Sequence, residues 1–168
     1  MTRRFFFACV SLLLLSLSGM PAMAGNFSVA GIDNDDEAYA FLNGLQTALK
    51  ANDRLAIAGM LAKGLHVYRD GKLDSKTAQA AMARFDEVFD PYVMAVVLCQ
   101  TPGGLWANWR GISIGRGTVW FGLELQVSRK AYDAAPQKYP SSDRRYWKMK
   151  VLTINMGRYA EEQSARCP

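Results

Sequence analysis

Histidine is nearly absent from the sequence: His66 is the only one among 168 residues. One imidazole excludes a metal site built from several histidines, and neither the cysteines nor the acidic residues cluster with the spacing of metal ligands. We recognise no catalytic or cofactor-binding motif. The sequence therefore predicts no metal and no cofactor.

Modules that bind RNA or DNA are also missing, so nucleic acid is not an expected partner. The charge is moderately basic, with 20 Lys and Arg against 15 Asp and Glu. Residues 129–150 carry seven basic side chains and two acids, whereas residues 33–53 carry five acids and one base. This polarity fits a solvated loop and strand edge, or the steering of anionic partners in the cell envelope.

Only one long apolar run occurs, from Phe5 to Leu17, directly after the basic pair Arg3 and Arg4. It is too short to cross about 30 Å of hydrocarbon comfortably. Residues 22–24 (AMA) then supply the small-x-small pattern that signal peptidase reads. We predict a signal peptide over residues 1–24 with cleavage after Ala24. The protein would be periplasmic or secreted, with no membrane anchor after cleavage. We expect export by the general secretory route in preference to the twin-arginine route.

Two cysteines remain after this cleavage, Cys99 and Cys167. In an oxidising compartment they can form a disulfide, which would stabilise the fold by about 4 kcal/mol in the chain-entropy model. The alternative is two unpaired thiols, because spacing alone does not show that the sulfur atoms meet.

The first half of the remaining chain has helical periodicity. Residues 36–51 predict an amphipathic helix capped by Asp35 or Asp36. A second helix follows a cap at Asn52 or Asp53 and ends before Gly64. Two further helices are expected, one over residues 78–89 with Asp74 or Ser75 as cap, and one from Pro91 to Cys99 with Asp90 as cap.

Strand patterns dominate the second half and interrupt the first only once, in a hairpin over residues 65–73 that turns at Asp70 and Gly71. Residues 105–114, 118–127 and 146–156 predict long strands, with a turn at 115–117 and a loop at 128–145. Helices segregated from strands predict an α+β fold, in which N-terminal helices pack on a curved antiparallel sheet.

Several segments resemble exported proteins of the NTF2-like (cystatin-like cone) superfamily. They are residues 65–72 (LHVYRDGK), 85–93 (FDEVFDPYV), 105–121 (LWANWRGISIGRGTVWF) and 152–155 (LTIN). The resemblance implies a single domain over residues 25–168, with a core at about 36–156 and a C-terminal tail at 157–168. Such a fold hosts enzymes, ligand carriers and interaction modules alike, so it does not define the function.

A cone of this kind would have an interior between helices and sheet. We expect apolar side chains to wall it, and the alternative is that they simply form the core. Trp106 and Trp109 have opposite strand parity, so one of them can enter the cone. The residues expected in the interior are Phe85, Phe89, Val97, Trp109, Trp120 and Phe121.

The candidates for catalysis are His66 or Asp86 as a general base, with Tyr68 or Tyr92 as a polar partner. The simpler interpretation makes His66 a surface imidazole and Asp86 part of a solvated helix face. No spacing in the sequence is diagnostic of an active site.

The favoured function is a non-enzymatic exported domain that binds a small apolar ligand in the cone or an envelope protein partner across the sheet. The sheet face could also pair two copies in a homodimer. Two alternatives stay open. One is an enzyme of the isomerase or hydrolase type that uses His66 or Asp86, and the other is an inhibitor or immunity-type protein of the envelope.

Overall fold

The computed structural model describes residues 27–157. The predicted signal peptide at 1–24, its cleavage site, and the tail beyond Gly157 with Cys167 lie outside the described residues. Within the described part, the element order and the packing of helices on a curved, unclosed sheet confirm the α+β prediction.

The first two helices are α1 (Asp35–Lys50) and α2 (Arg54–Met60). Asn34 caps α1, because its extended backbone lets its side chain accept a hydrogen bond from the Asp36 amide at 3.0 Å. The predicted caps Asp35 and Asp36 are wrong, since both already lie in the first turn. Asp53 caps α2 as predicted, through the Ala56 amide at 2.9 Å.

The hairpin predicted at Asp70 and Gly71 joins β1 (Leu61–Arg69) to β2 (Lys72–Ser75). Both turn residues have positive φ angles, 50° and 77°, as a two-residue hairpin turn requires. Strand β1 begins earlier than predicted. Leu61 leaves the helix because it pairs with Val151 of the last strand, and this tertiary pairing overrides the local preference for helix.

The third predicted helix is two helices, α3 (Ala78–Ala83) and α4 (Phe85–Val88), separated by Arg84 in a non-helical conformation. Thr77 caps α3 through the Ala80 amide, so Asp74 and Ser75 were the wrong caps. They lie in β2 instead. Helix α5 (Pro91–Cys99) begins as predicted, with Asp90 accepting a hydrogen bond from the Val93 amide at 2.8 Å.

The single strand predicted over 105–114 is a tight hairpin of β3 (Trp106–Asn108) and β4 (Gly111–Ile114). Trp109 and Arg110 form its turn. The Asn108 side chain accepts a hydrogen bond from the Arg110 amide at 2.8 Å, and Gly111 has a φ of +134°. These local features reverse the chain in the middle of the apolar pattern.

The last strands are β5 (Val119–Leu125) and β6 (Trp147–Met156). The connection between them contains helix α6 (Arg129–Ala134), where a loop was predicted. Ser128 caps α6 through the Ala131 amide, and the Tyr132 ring meets Trp147 at 5.9 Å. Aromatic packing therefore holds this polar segment against the last strand.

The strand order in the described sheet is β2-β1-β6-β5-β4-β3. Four of the five neighbouring pairs are antiparallel, but β1 and β6 run parallel. The sheet is thus mixed, and the prediction of an entirely antiparallel sheet is corrected. No hairpin joins β1 to β6, because more than half of the described chain intervenes, so antiparallel pairing is not imposed on them.

Strand alternation divides the sheet into two faces. The inner face packs against the helices in one apolar core, to which the strands contribute Leu65, Val67, Ile112, Ile114, Val119, Phe121, Val151 and Ile154. The opposite face, which we call the outer face, carries the residues between these positions.

Candidate functional site

Four of the six residues predicted to wall an interior pocket lie in the core between helices and sheet. Phe85 and Phe89 stack on each other with ring centroids 4.8 Å apart. Phe121 stacks on Phe41 at 5.0 Å, and Val97 is fully buried in the same cluster. All four belong to one cluster of packed, buried side chains between the helices and the sheet.

The other two predicted residues, Trp109 and Trp120, do not lie in the interior. Trp109 is 76% exposed at the tip of the β3–β4 turn, where the Arg110 guanidinium lies 4.9 Å from its ring centroid. Trp120 lies between the buried residues Val119 and Phe121 and therefore points to the outer face. The parity argument for Trp106 and Trp109 fails because the strand ends between them.

The candidate catalytic residues are dispersed over the molecule. The Asp86 side chain is 81% exposed on α4 and pairs with Arg54 at 2.6 Å. His66 is exposed on the outer face, with its ring 6.3 Å from that of Tyr68. The Tyr92 hydroxyl lies 3.4 Å from the Thr118 hydroxyl, beside the β4–β5 turn. His66 and Tyr68 are thus neighbours, whereas Asp86 and Tyr92 lie elsewhere.

Shifted pKa values occur in two surface clusters. Hydrogen bonds to Glu87 and then Asp74 raise the pKa of Arg84 above its ordinary value. A hydrogen bond from Arg145 holds the pKa of Asp143 below its usual range, and the same bond raises the pKa of Arg145. These exposed ion pairs are structural contacts of the kind that contribute little to stability.

The outer face of the sheet carries a groove with a volume of about 420 Å³. We call it the outer-face groove. It crosses the strand ends from the β1–β2 turn to the β3–β4 turn. Its lining residues are Tyr68, Gly71, Arg110, Trp120, Thr153 and Asn155.

Strand register brings the lining residues together. Tyr68 pairs with Asn155, and Trp120 pairs with Thr153, so their side chains share one face of neighbouring strands. The Asn155 side chain donates a hydrogen bond to the Gly117 carbonyl at 2.6 Å, which ties β6 to the β4–β5 turn. The groove wall is therefore built on paired strands and fixed turns.

Hydrogen-bond donors without a protein acceptor line this groove. Within residues 27–157, the Tyr68 hydroxyl, the Thr153 hydroxyl and the Trp120 indole make no hydrogen bond to the protein. The Arg110 guanidinium packs on the Trp109 ring and forms no ion pair with a described carboxylate. Among the described residues that line the groove none is acidic, and Arg110 contributes a positive charge to a wall rich in donors.

A pair of tryptophans lies beside the groove, because the lining residue Trp120 contacts Trp106. Trp106 is 58% exposed and meets Trp120 in an edge-to-face contact, with ring centroids 5.7 Å apart. Both pair with Ser113 in register, so the Ser113 hydroxyl lies between them on the outer face. This hydroxyl is buried and has no hydrogen-bond partner among the described residues.

Sequence reasoning missed Arg110, Thr153 and Asn155 as members of one site, and it assigned Tyr68 and Trp120 other roles. The local signal for the β3–β4 turn was present in Asn108 and Gly111. The pairing of β1 with β6 left no local signal, because it joins segments far apart in the chain.

The described residues contain no group of His, Cys, Asp and Glu arranged to hold a metal ion. Over residues 27–157, the helices are also too short or too polar to cross a membrane. No family model, curated protein or solved structure matches the chain.

Proposed function

We propose that the protein is a non-enzymatic exported domain that binds an envelope protein through the outer face of its sheet. The observation that carries this proposal is the concentration of Trp106, Trp109, Trp120, Tyr68 and Arg110 on or beside that face. Tryptophan, tyrosine and arginine are the residue types that contribute most to binding energy in protein interfaces.

Exposure strengthens the argument for a protein partner. Trp106 and Trp109 are the two most exposed aromatic side chains among the described large hydrophobic residues, and both precede Arg110 by at most four positions. Leaving two indoles in water is unfavourable, whereas covering them with a partner removes apolar area from solvent at about 25 cal/mol per Å². The outer-face groove between them and Tyr68 offers a concave site for an anchoring side chain.

The observed packing disfavours a small apolar ligand inside the cone. The residues expected to wall a pocket are instead packed in the core, so a ligand would have to displace them. They are Phe85, Phe89, Val97 and Phe121. The polar outer-face groove has the size of many small-molecule sites, but its donors suit an oxygen-rich group better than an apolar one.

Catalysis by His66 or Asp86 is also disfavoured. A general base needs a second polar group within hydrogen-bond reach in a cavity that excludes water. Asp86 is held by Arg54 at the surface, and His66 is exposed beside Tyr68. An inhibitor or immunity-type role is compatible with the proposal, since it differs only in which envelope protein is bound.

A second copy of the chain is the other candidate occupant of the outer face, because an exposed sheet face can be self-complementary.

The periplasmic or secreted location follows from the predicted signal peptide and is part of the proposal.

Site-specific photo-cross-linking in cells that export the protein tests this proposal. A photoreactive phenylalanine derivative replaces Trp109 in one variant and Leu55 in the other, because Leu55 is 86% exposed on α2 in the helical layer. We expect a discrete cross-linked protein from position 109 and none from position 55. Equal labelling from both positions, or no product from position 109, would refute the proposal. A product of twice the chain mass would identify the partner as a second copy.

A further inference from the structure

We infer that the outer-face groove binds the carboxylate of an acidic side chain in a peptide segment of the partner. This inference rests on the proposed function, which it makes specific by naming the chemistry that the groove recognises. Three features of the groove support it: a free cation, hydroxyl donors on adjacent strands, and apolar rings at the rim.

Arg110 supplies the cation. Among the eight arginines that the structure describes, six form ion pairs with carboxylates of the chain, and only Arg110 and Arg116 do not. Arg110 lines the groove, and its guanidinium packs on the Trp109 ring, a contact that orients the side chain without neutralising it. Arginine pairs with carboxylates through two parallel hydrogen bonds, so this group is suited to an acidic ligand.

Hydroxyl donors complete the polar wall. Tyr68 on β1 and Thr153 on β6 lie on adjacent strands, and neither hydroxyl is used within the described protein. Both can donate to a carboxylate oxygen. A neutral amide would offer a single acceptor oxygen and two donors, so it would match this set of donors less well.

Asp70, at the β1–β2 turn, is the acidic residue that directly precedes the groove-lining Gly71. Its carboxylate oxygen is directed to Gly157, at a point where a side chain on that glycine would collide with it. Asp70 does not line the groove, so no carboxylate among the described lining residues repels an anion or competes for Arg110.

The rim indicates the residues next to the carboxylate. Trp109 adjoins Arg110 at the turn, and Trp106 contacts the groove-lining Trp120. A peptide whose acidic residue enters the groove would place its neighbours against these indoles. The partner segment is therefore expected to combine an acidic residue with flanking apolar residues.

Titration of two blocked peptides, Ac-Leu-Glu-Leu-NH2 and Ac-Leu-Gln-Leu-NH2, into the exported protein tests the inference. The peptides differ only in the carboxylate, and the indole N–H resonance of Trp120 reports binding in the groove. We expect the glutamate peptide to bind about tenfold more tightly than the glutamine peptide, as loss of a charge-assisted hydrogen bond implies. We also expect its affinity to fall as salt is raised.

Two variants with the same change of charge make the test specific. Arg110→Gln should abolish the preference for the glutamate peptide, whereas Lys50→Gln, at the exposed end of α1 in the other layer, should preserve it. Both substitutions are at exposed positions, and an unchanged amide spectrum away from the site verifies the fold. Tyr68→Phe should weaken binding of the glutamate peptide and leave binding of the glutamine peptide unchanged, because the substitution keeps the ring and removes the hydroxyl donor.

Equal affinities for the two peptides, retained preference in Arg110→Gln, or no shift of the Trp120 resonance with either peptide would overturn the carboxylate inference. None of these results alters the cross-linking expected from position 109. Conversely, absence of that cross-link together with glutamate-specific binding would refute the protein partner and leave the carboxylate site in place.

Discussion

Trp106 and Trp120 meet edge to face on the outer side of the sheet, with their ring centroids 5.7 Å apart. Each lies opposite Ser113 in register, from β3 on one side and β5 on the other. The two indoles thus bury a hydroxyl that has no hydrogen-bond partner among the described residues. A buried donor without an acceptor is destabilising, so this contact carries a cost in the isolated domain.

Replacing Ser113 with alanine should therefore leave the free energy of unfolding unchanged or raise it by about 1 kcal/mol. The substitution removes only the unpartnered hydroxyl and keeps the tryptophan contact. Denaturant unfolding of the purified protein measures the change.

Thr118→Val provides the matched control, because the Thr118 hydroxyl is equally buried but donates to the Gly115 carbonyl at 2.9 Å. This variant should lose about 1 kcal/mol. A destabilisation by Ser113→Ala as large as that by Thr118→Val would show that the Ser113 hydroxyl is satisfied in solution.

Asp86 and Asp90 lie four residues apart and should differ in their effect on stability. Asp90→Ala removes the cap of α5 and should cost about 1 kcal/mol. Asp86→Ala breaks an exposed ion pair with Arg54, and such pairs contribute about 0 to 1 kcal/mol. Thermal unfolding of the two variants compares them directly. If Asp86→Ala were the more damaging, its carboxylate would have a structural role beyond the surface.

Gly111→Ala should be one of the more destabilising glycine substitutions, with an expected loss of about 1 to 3 kcal/mol. Gly111 has a φ of +134°, and an added Cβ would lie 2.5 Å from the Phe121 carbonyl oxygen, a backbone atom that cannot easily move. Gly103→Ala is the control, because nothing lies within 4 Å of its added Cβ. Circular dichroism with denaturant titration distinguishes them, and equal stability would contradict the close approach of β4 to β5.

Local chemistry was sufficient to predict many elements of the fold. Asp53 and Asp90 are side-chain caps, and Asp70 with Gly71 forms the two-residue turn that the sequence predicts. In each case the determining interaction joins residues a few positions apart. The helical spacing of Leu42, Leu45 and Leu49 likewise indicated the buried face of α1.

Elements determined by tertiary contacts were not predictable in the same way. Leu61 pairs with Val151, and Tyr68 pairs with Asn155, across most of the described chain. These pairings extend β1, make the sheet mixed and bring the groove residues together. Period-2 alternation shows that a strand has two faces, but it does not show which distant strand lies beside it.

The candidate site was missed because one turn was missed. Treating residues 105–114 as a single strand placed Trp109 in the interior by parity, whereas the turn at Trp109 and Arg110 moves both to the rim of the outer face. The large apolar side chain of Trp109 was thus interpreted as part of the core. Trp120 was assigned to the interior although it alternates with Val119 and Phe121, which are buried.

The exported protein should begin at Gly25. The expectation follows from the apolar run of residues 5–17 and the AMA sequence at 22–24, and those residues lie outside the described part of the chain. Intact mass spectrometry of protein recovered from the periplasm or the medium measures the N terminus. A mass that includes residues 1–24, or a lipid adduct, would contradict cleavage after Ala24.

Cys99 and Cys167 should form a disulfide in the exported protein. Cys99 ends α5, and the next residue, Gln100, accepts a hydrogen bond from the Gly115 amide of the β4–β5 turn. The end of β6 reaches the same turn, because Asn155 bonds to Gly117 and Thr118. The end of α5 that carries Cys99 and the end of β6 therefore both adjoin the β4–β5 turn.

The bond would close a long loop and should stabilise the fold by about 4 kcal/mol. A thiol assay on unfolded, unreduced protein should find no reactive thiol, and reduction should expose two. Cys99→Ser and Cys167→Ser should then be destabilised to a similar extent in the absence of reductant, since each removes the same cross-link. Two reactive thiols per chain before reduction, or a stability of Cys167→Ser equal to that of the parent protein, would show that the C-terminal tail is not bound to α5 through sulfur.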